Sequence, residues 1–233
     1  METVNRSPLR PRLTRASGRP ATGAVLLLLA TAAAAAGAET STLVDPARML
    51  ASAKRIDFLG ANAFSVEAGP TGRVLRSTPA NSASGLYQRV NRDGRTLATV
   101  AWSWRVDRLQ TSADIRALPT EDVGATIMFV FGEPSTSNRD VPTIAYAWTA
   151  TPVASGTILP SLRFKSLRYV QLRGSGDAGR WQREERNVAA DYRRIFGREP
   201  GQLVYIAVFN DNDQTHEPAS ALFGRITSPR APR

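Results

Sequence analysis

From Phe58 onward the chain is cut into short apolar runs by Gly, Pro, Asn and Asp, and this punctuation limits its fold more than any other feature. Runs of three to ten residues between turn formers are too short for most helices and suit antiparallel strands. Eight segments carry the pattern: Val74–Arg76, Gly85–Val90, Leu97–Val106, Ala125–Phe131, Thr143–Trp148, Ser166–Arg173, Leu203–Phe209 and Ala219–Ile226. One stretch breaks it, because Val188, Tyr192, Ile195 and Phe196 recur at helical spacing. Asn187 suits the start of that helix, Gly197 its end, and Pro200 follows. A smaller helix is expected near Asp45-Pro46, an N-cap followed by a first-turn proline, with Met49, Leu50 and Ala53 on one side.

Within Leu97–Val106, the residues Val100, Trp102, Trp104 and Val106 share one face, and Thr99, Ala101, Ser103 and Arg105 the other. That is the period of a half-buried strand. Two tryptophans on one face either fill a core or form a stacking platform for a ligand, and Trp104 and Trp148 are carried forward as candidate ligand contacts. Thr126–Val130 and Val204–Val208 are apolar on both faces, so they read as central strands covered on each side. The expected fold is all-β, an antiparallel two-layer sandwich of jelly-roll type, with one short helix in its C-terminal half and a small lead-in helix.

Ahead of this region, Arg6, Arg10, Arg12, Arg15 and Arg19 precede the apolar run from Ala21 to Ala36, and Ala36-Gly37-Ala38 has the small-residue form of a signal-peptidase site. The run is too short and alanine-rich for a spanning helix. The expected organisation is a signal peptide over residues 1–38, a lead-in segment over 39–57, the sandwich domain over 58–227 and a disordered tail over 228–233. A soluble mature form in the periplasm or medium follows, with no transmembrane segment. Losing five arginines and one acid lowers the formal charge from +10 to about +6. The remaining basic residues are scattered rather than striped, which argues against a nucleic-acid partner. The chain has no cysteine, which removes disulfides, thiolate metal sites, cysteine nucleophiles and lipoprotein anchoring.

Several blocks together, "SASGLYQRV", "VAWSWRVD", "EDVGATIMFVF", "IAYAW", "WQREERNVAADYRRIFGREP", "LVYIAVFNDNDQT" and "ASALFGRI", resemble in order the exported bacterial family called domain of unknown function 3047. The resemblance runs from about Phe58 to Ile226. It implies an exported or periplasmic β-sandwich and no assigned activity. The chain departs from the family pattern at Glu121, Asn210, Gln214, His216 and Arg225, the last replacing an acid that a metal site would have used.

The strongest local candidate for chemistry is Asp211-Asn212-Asp213-Gln214-Thr215, which follows an apolar strand and so sits at a strand end. Alternating oxygen-bearing side chains on a tight loop converge on a hard cation such as calcium, or else bond their own backbone as a turn. Glu121 and Asp122, at the start of another central strand, would complete a metal set of Glu121, Asp122, Asp211 and Asp213. The candidate ligand-binding set is Asp122, Asp211, Asp213, Thr215, Trp104 and Trp148. His216 is the sole histidine and Ser84 lacks a nucleophile-elbow context, so neither a serine triad nor histidine-bound zinc is expected. The leading reading is a noncatalytic domain that binds a glycan or other polar envelope component, with calcium as its candidate cofactor. The alternative is a hydrolase of envelope polysaccharide in which carboxylates such as Asp122 and Asp213 divide acid and base roles.

Overall fold

The structure, a computed structural model, describes residues 40–135 and 140–229. The expected signal peptide and residues 230–233 of the expected tail lie outside them. Among the described residues no helix is long and apolar enough to cross a membrane.

In chain order the elements are β1 (Thr40–Val44), α1 (Pro46–Ser52), β2 (Lys54–Leu59), β3 (Ala63–Gly69), β4 (Gly72–Thr78), β5 (Ala83–Asp93), β6 (Val100–Arg108), β7 (Ala125–Phe131), β8 (Thr143–Trp148), β9 (Ile158–Pro160), β10 (Leu167–Arg173), β11 (Gln182–Arg186), α2 (Val188–Phe196), β12 (Gln202–Asp211), β13 (Ser220–Phe223) and β14 (Ile226–Pro229). They form two seven-stranded sheets. The first runs β1-β14-β6-β13-β4-β3 with β11 also paired to β6, and the second runs β2-β5-β12-β7-β8-β10-β9. Every pairing is antiparallel except β8 with β10, where the chain first visits the edge as β9 and then returns between β9 and β8. The expected two-layer sandwich with two helices is therefore present, with one parallel pair inside it.

The core lies between the sheets. Val100, Trp102, Trp104 and Val106 of β6 meet Ile127 and Phe129 of β7 and Ile144, Tyr146 and Trp148 of β8, all almost fully buried. The rings interlock, with Trp102 and Tyr146 centroids 5.2 Å apart and Trp104 and Trp148 5.6 Å apart. Pairs of this kind add about 0.5–1.5 kcal/mol each beyond the area they bury. Two of the three indole N–H groups find acceptors, Trp104 donating to Glu184 at 3.0 Å and Trp148 to the Gly174 carbonyl at 3.0 Å, while Trp102 Nε1 is buried without one. Helix α2 starts where the Asn187 side chain accepts from Ala190 N, and ends at Gly197, whose φ of 67° favours glycine.

Three expectations are corrected. The lead-in segment is part of the sandwich, since β1 pairs with β14 and β2 with β5. Ser228 and Pro229, expected in a disordered tail, are strand residues. Ala219–Ile226 is two strands, broken where Gly224 N donates to Ser103 O at 2.8 Å, an approach that leaves no room for a side chain.

Candidate functional site

The site lies on the outer face of the second sheet. Strand β12 explains why: Leu203, Ile206 and Val208 point into the sandwich, while Tyr205, Ala207, Phe209 and Asp211 line a cleft of about 820 Å³. The same period places Met128 and Val130 of β7 and Tyr169 of β10 along that cleft. At the end of β12 the alternation separates two polar neighbours. Asn210 faces inward, accepting from Ser77 Oγ at 2.6 Å and from Asn62 Nδ2 at 2.8 Å, and Asp211 faces outward.

Loops build the walls. The β9–β10 turn brings Arg163 and Phe164 over the sheet, and β2 brings Phe58 from the opposite edge. Phe58 meets Phe164 at 5.9 Å and Phe209 at 5.8 Å between centroids, yet stays 55% exposed, so it offers a free ring face at the rim. Part of this outer face is closed by a small second core that includes Ile115, Val123, Leu167 and Phe209, and the rest is open. The expectation that β7 and β12 are covered on both faces is thus corrected: their second apolar face is covered in part and is otherwise the cleft lining.

Carboxylates gather at one end. One oxygen each from Asp122, Asp211 and Asp213 lie within 4.8 Å of one another. Asp122 is an anchor for the following turn, accepting from Gln214 N at 3.2 Å, Thr215 N at 2.7 Å and Thr215 Oγ1 at 2.6 Å. Asp211 accepts from Val123 N at 2.7 Å. Its complete burial pushes its carboxyl well above the usual range, opposed by that backbone bond and reinforced by the charges of Asp122, Asp213 and Glu121. Glu121 is also pushed up by burial, partly offset by Arg163, whose Nε stands 2.9 Å from Oε2. Hydrogen bonds from the Leu162 backbone and the Arg163 side chain also hold the Glu121 carboxyl down against its burial. Asp213 gives one oxygen to the Gln214 side chain, and its Oδ1 is buried with no donor.

The structure therefore brings together Asp122, Asp211 and Asp213, with Thr215 bonded to Asp122, while Glu121 of the expected metal set lies outside that group and pairs with Arg163. It separates from them Trp104 and Trp148. Both are fully buried on the core side of their strands, where van der Waals contact with the opposite sheet outweighs any use as a platform. Ser84 is likewise buried, accepting from Asn62 N at 2.7 Å.

Sequence comparison matches the family model "Protein of unknown function (DUF3047)" over residues 54–227, well over half of the chain. The chain belongs to the DUF3047 family. The match begins at β2 and ends within β14, so the region shared with other DUF3047 members includes the whole cleft. No curated protein matches by sequence. Solved structures similar to this DUF3047 chain include the solution structure of CtCBM11, at 12% identity and TM-score 0.40 over 85% of this chain and 99% of that one. Endoglucanase cel12A from Rhodothermus marinus is similar at 10% identity and TM-score 0.42, over 83% and 97% of the two chains. The family 11 xylanase from Neocallimastix patriciarum is similar at 9% identity and TM-score 0.35, over 76% and 100%.

Sequence reasoning missed the aromatic wall of this DUF3047 domain. Phe58 and Phe164 lie in segments without alternation, and Arg163 looked like one of many scattered arginines. The outward set Tyr205, Ala207, Phe209 and Asp211 was a usable signal, since an apolar face that ends in an acid marks a surface that something covers.

Proposed function

We propose that this is an exported, noncatalytic binding domain whose ligand, a glycan of the cell envelope, lies along the outer face of the second sheet. One observation carries the reading: an open cleft of about 820 Å³ has an exposed phenylalanine at its rim and buried carboxylate acceptors at one end. That volume is in the range of small-ligand sites, and the lining combines apolar surface for the faces of sugar rings with a few fixed acceptors for hydroxyls. The leader over residues 1–38 would carry the domain to that ligand.

The three aspartates could hold a metal ion, but they fit calcium poorly. Calcium takes six to eight oxygens. Here Asp122 is already the acceptor for three donors and Asp211 for one, and a guanidinium stands beside Glu121. Those donors support Asp122 as the pin of a turn rather than as an ion ligand, and they also weaken the rival hydrolase reading that makes it an acid or base. Binding of envelope oligosaccharides by calorimetry tests the proposal. Phe58→Ala is expected to weaken binding about five- to tenfold, the loss of one stacked ring face, with the melting temperature almost unchanged. Failure of every oligosaccharide to bind the folded wild-type chain would refute the reading.

A further inference from the structure

Large apolar side chains are mostly enclosed in this protein, and among the described residues five are exposed: Leu50, Phe58, Leu59, Leu118 and Leu162. Three of them gather at one place. Phe58 and Leu59 end β2, and Leu162 lies in the β9–β10 turn, where the Phe164 ring stands 5.9 Å from that of Phe58. The two segments start from opposite edges of the second sheet and meet above its outer face, so their tips form the rim of the cleft. There Phe58, Leu59 and Leu162 remain 55%, 54% and 44% exposed. Apolar tips clustered in solvent mark a contact surface, since removing them from water is favourable and the fold itself does not do so.

Charge says what kind of surface they meet. Lys54–Leu59 and residues 161–168 together contain five basic residues, Lys54, Arg55, Arg163, Lys165 and Arg168, and one acid, Asp57. Two further acids reach these segments from elsewhere: buried Glu121 pairs with Arg163 at 2.9 Å, and Asp140 accepts from Ser166 N at 2.7 Å. Basic groups still outnumber acids, and Lys165 is exposed beside Phe164. Apolar tips set among lysine and arginine suit an anionic lipid surface, in which the tips enter the acyl boundary and the cations stay with the headgroup phosphates. The tips also stand on two separate segments around an opening rather than on one flat patch, an outline that fluid lipid meets without a matching shape.

We propose that the cleft rim docks on an anionic phospholipid bilayer, with Phe58, Leu59 and Leu162 entering it and Lys165 and Arg168 against its phosphates. This goes beyond the glycan reading and holds whatever the cleft binds. Both sheets and the main core are built from Thr40–Pro229. The test therefore uses the chain from Glu39 onward, free of the basic, apolar leader that would bind lipid by itself. Sedimentation with vesicles of equal parts phosphatidylglycerol and phosphatidylcholine is compared with phosphatidylcholine alone at about 0.1 M salt. The expected result is binding about tenfold tighter to the anionic vesicles, falling as salt is raised. Lys165→Glu, and Leu59→Ser combined with Leu162→Ser, should each weaken it about fivefold, with folding checked by circular dichroism. Insertion is read from Phe58→Trp, whose emission brominated lipid should quench. Arg183→Trp, at a position 76% exposed on a strand of the first sheet, should stay unquenched. Equal binding to both vesicle types, binding that the rim variants retain, or quenching at position 183 and not at 58 overturns the proposal. Binding to neither vesicle also overturns it and leaves a protein as the partner of the rim. None of these outcomes bears on oligosaccharide binding, and the wild-type comparison decides even if a variant fails to fold.

Discussion

Asp211 and Glu217 respond to acid in opposite ways. Burial holds the Asp211 carboxyl above its ordinary value of 3.8, so the folded state binds its proton more readily than the unfolded chain does. Its contribution is therefore most favourable below that value and is lost as pH rises through the raised one. Glu217 is the reverse: donors from Ser112 and Thr111 hold it down to about 2, so its contribution is present above its ordinary 4.5 and is lost as pH falls toward 2. Replacing Asp211 by Asn keeps an acceptor for Val123 N and removes the buried charge. The variant is expected to melt several degrees above wild type at pH 7 to 8. The gap should close as pH falls toward 3.8, as followed by circular dichroism across that range.

Among the elements, those legible in the sequence are the ones that bury a face. Val100, Trp102, Trp104 and Val106 announce β6, and the spacing of Val188, Tyr192 and Ile195 announces α2. Of the strands that were not legible, β1, β2, β3, β9 and β11 lie at sheet edges or off the main strand path, whereas β14, most of it beyond the expected last segment, lies between β1 and β6. An edge strand is held by backbone hydrogen bonds along one side and keeps polar or charged residues, as in the Gln182–Arg186 strand, so it shows no apolar alternation. The candidate site divides the same way. Its acids were legible because Asp122, Asp211 and Asp213 sit at the ends of central strands, whereas Phe58 and Arg163 came from an edge strand and a turn. The turn after β12 depends on one side chain. Asp122→Ala leaves Gln214 N, Thr215 N and Thr215 Oγ1 without their acceptor, and is expected to cost about 2–4 kcal/mol in urea unfolding.

For the whole molecule, the main core and the cleft lie on opposite faces of the second sheet. The inner face carries the aromatic core and has no disulfide to assist it, as the chain has no cysteine. Truncating that core is therefore expected to be severe: Trp104→Ala should lower stability by about 3–5 kcal/mol and leave Glu184 without the indole donor it now accepts from. Because the cleft's shape is set by the sheet's backbone and the loops above it, milder core changes should alter melting temperature before they alter ligand affinity, which paired melting and calorimetry on Val100→Ala would show.

The placement of the indoles has a practical consequence. Trp102, Trp104 and Trp148 are enclosed between the sheets, and Trp181 stacks against Arg105 outside the cleft, whose own rings are phenylalanine and tyrosine. Ultraviolet emission from this protein will therefore respond sharply to unfolding and remain nearly silent when the cleft fills. A fluorescence screen for ligands would return false negatives unless a reporter were first placed at the rim, for instance by Phe58→Trp.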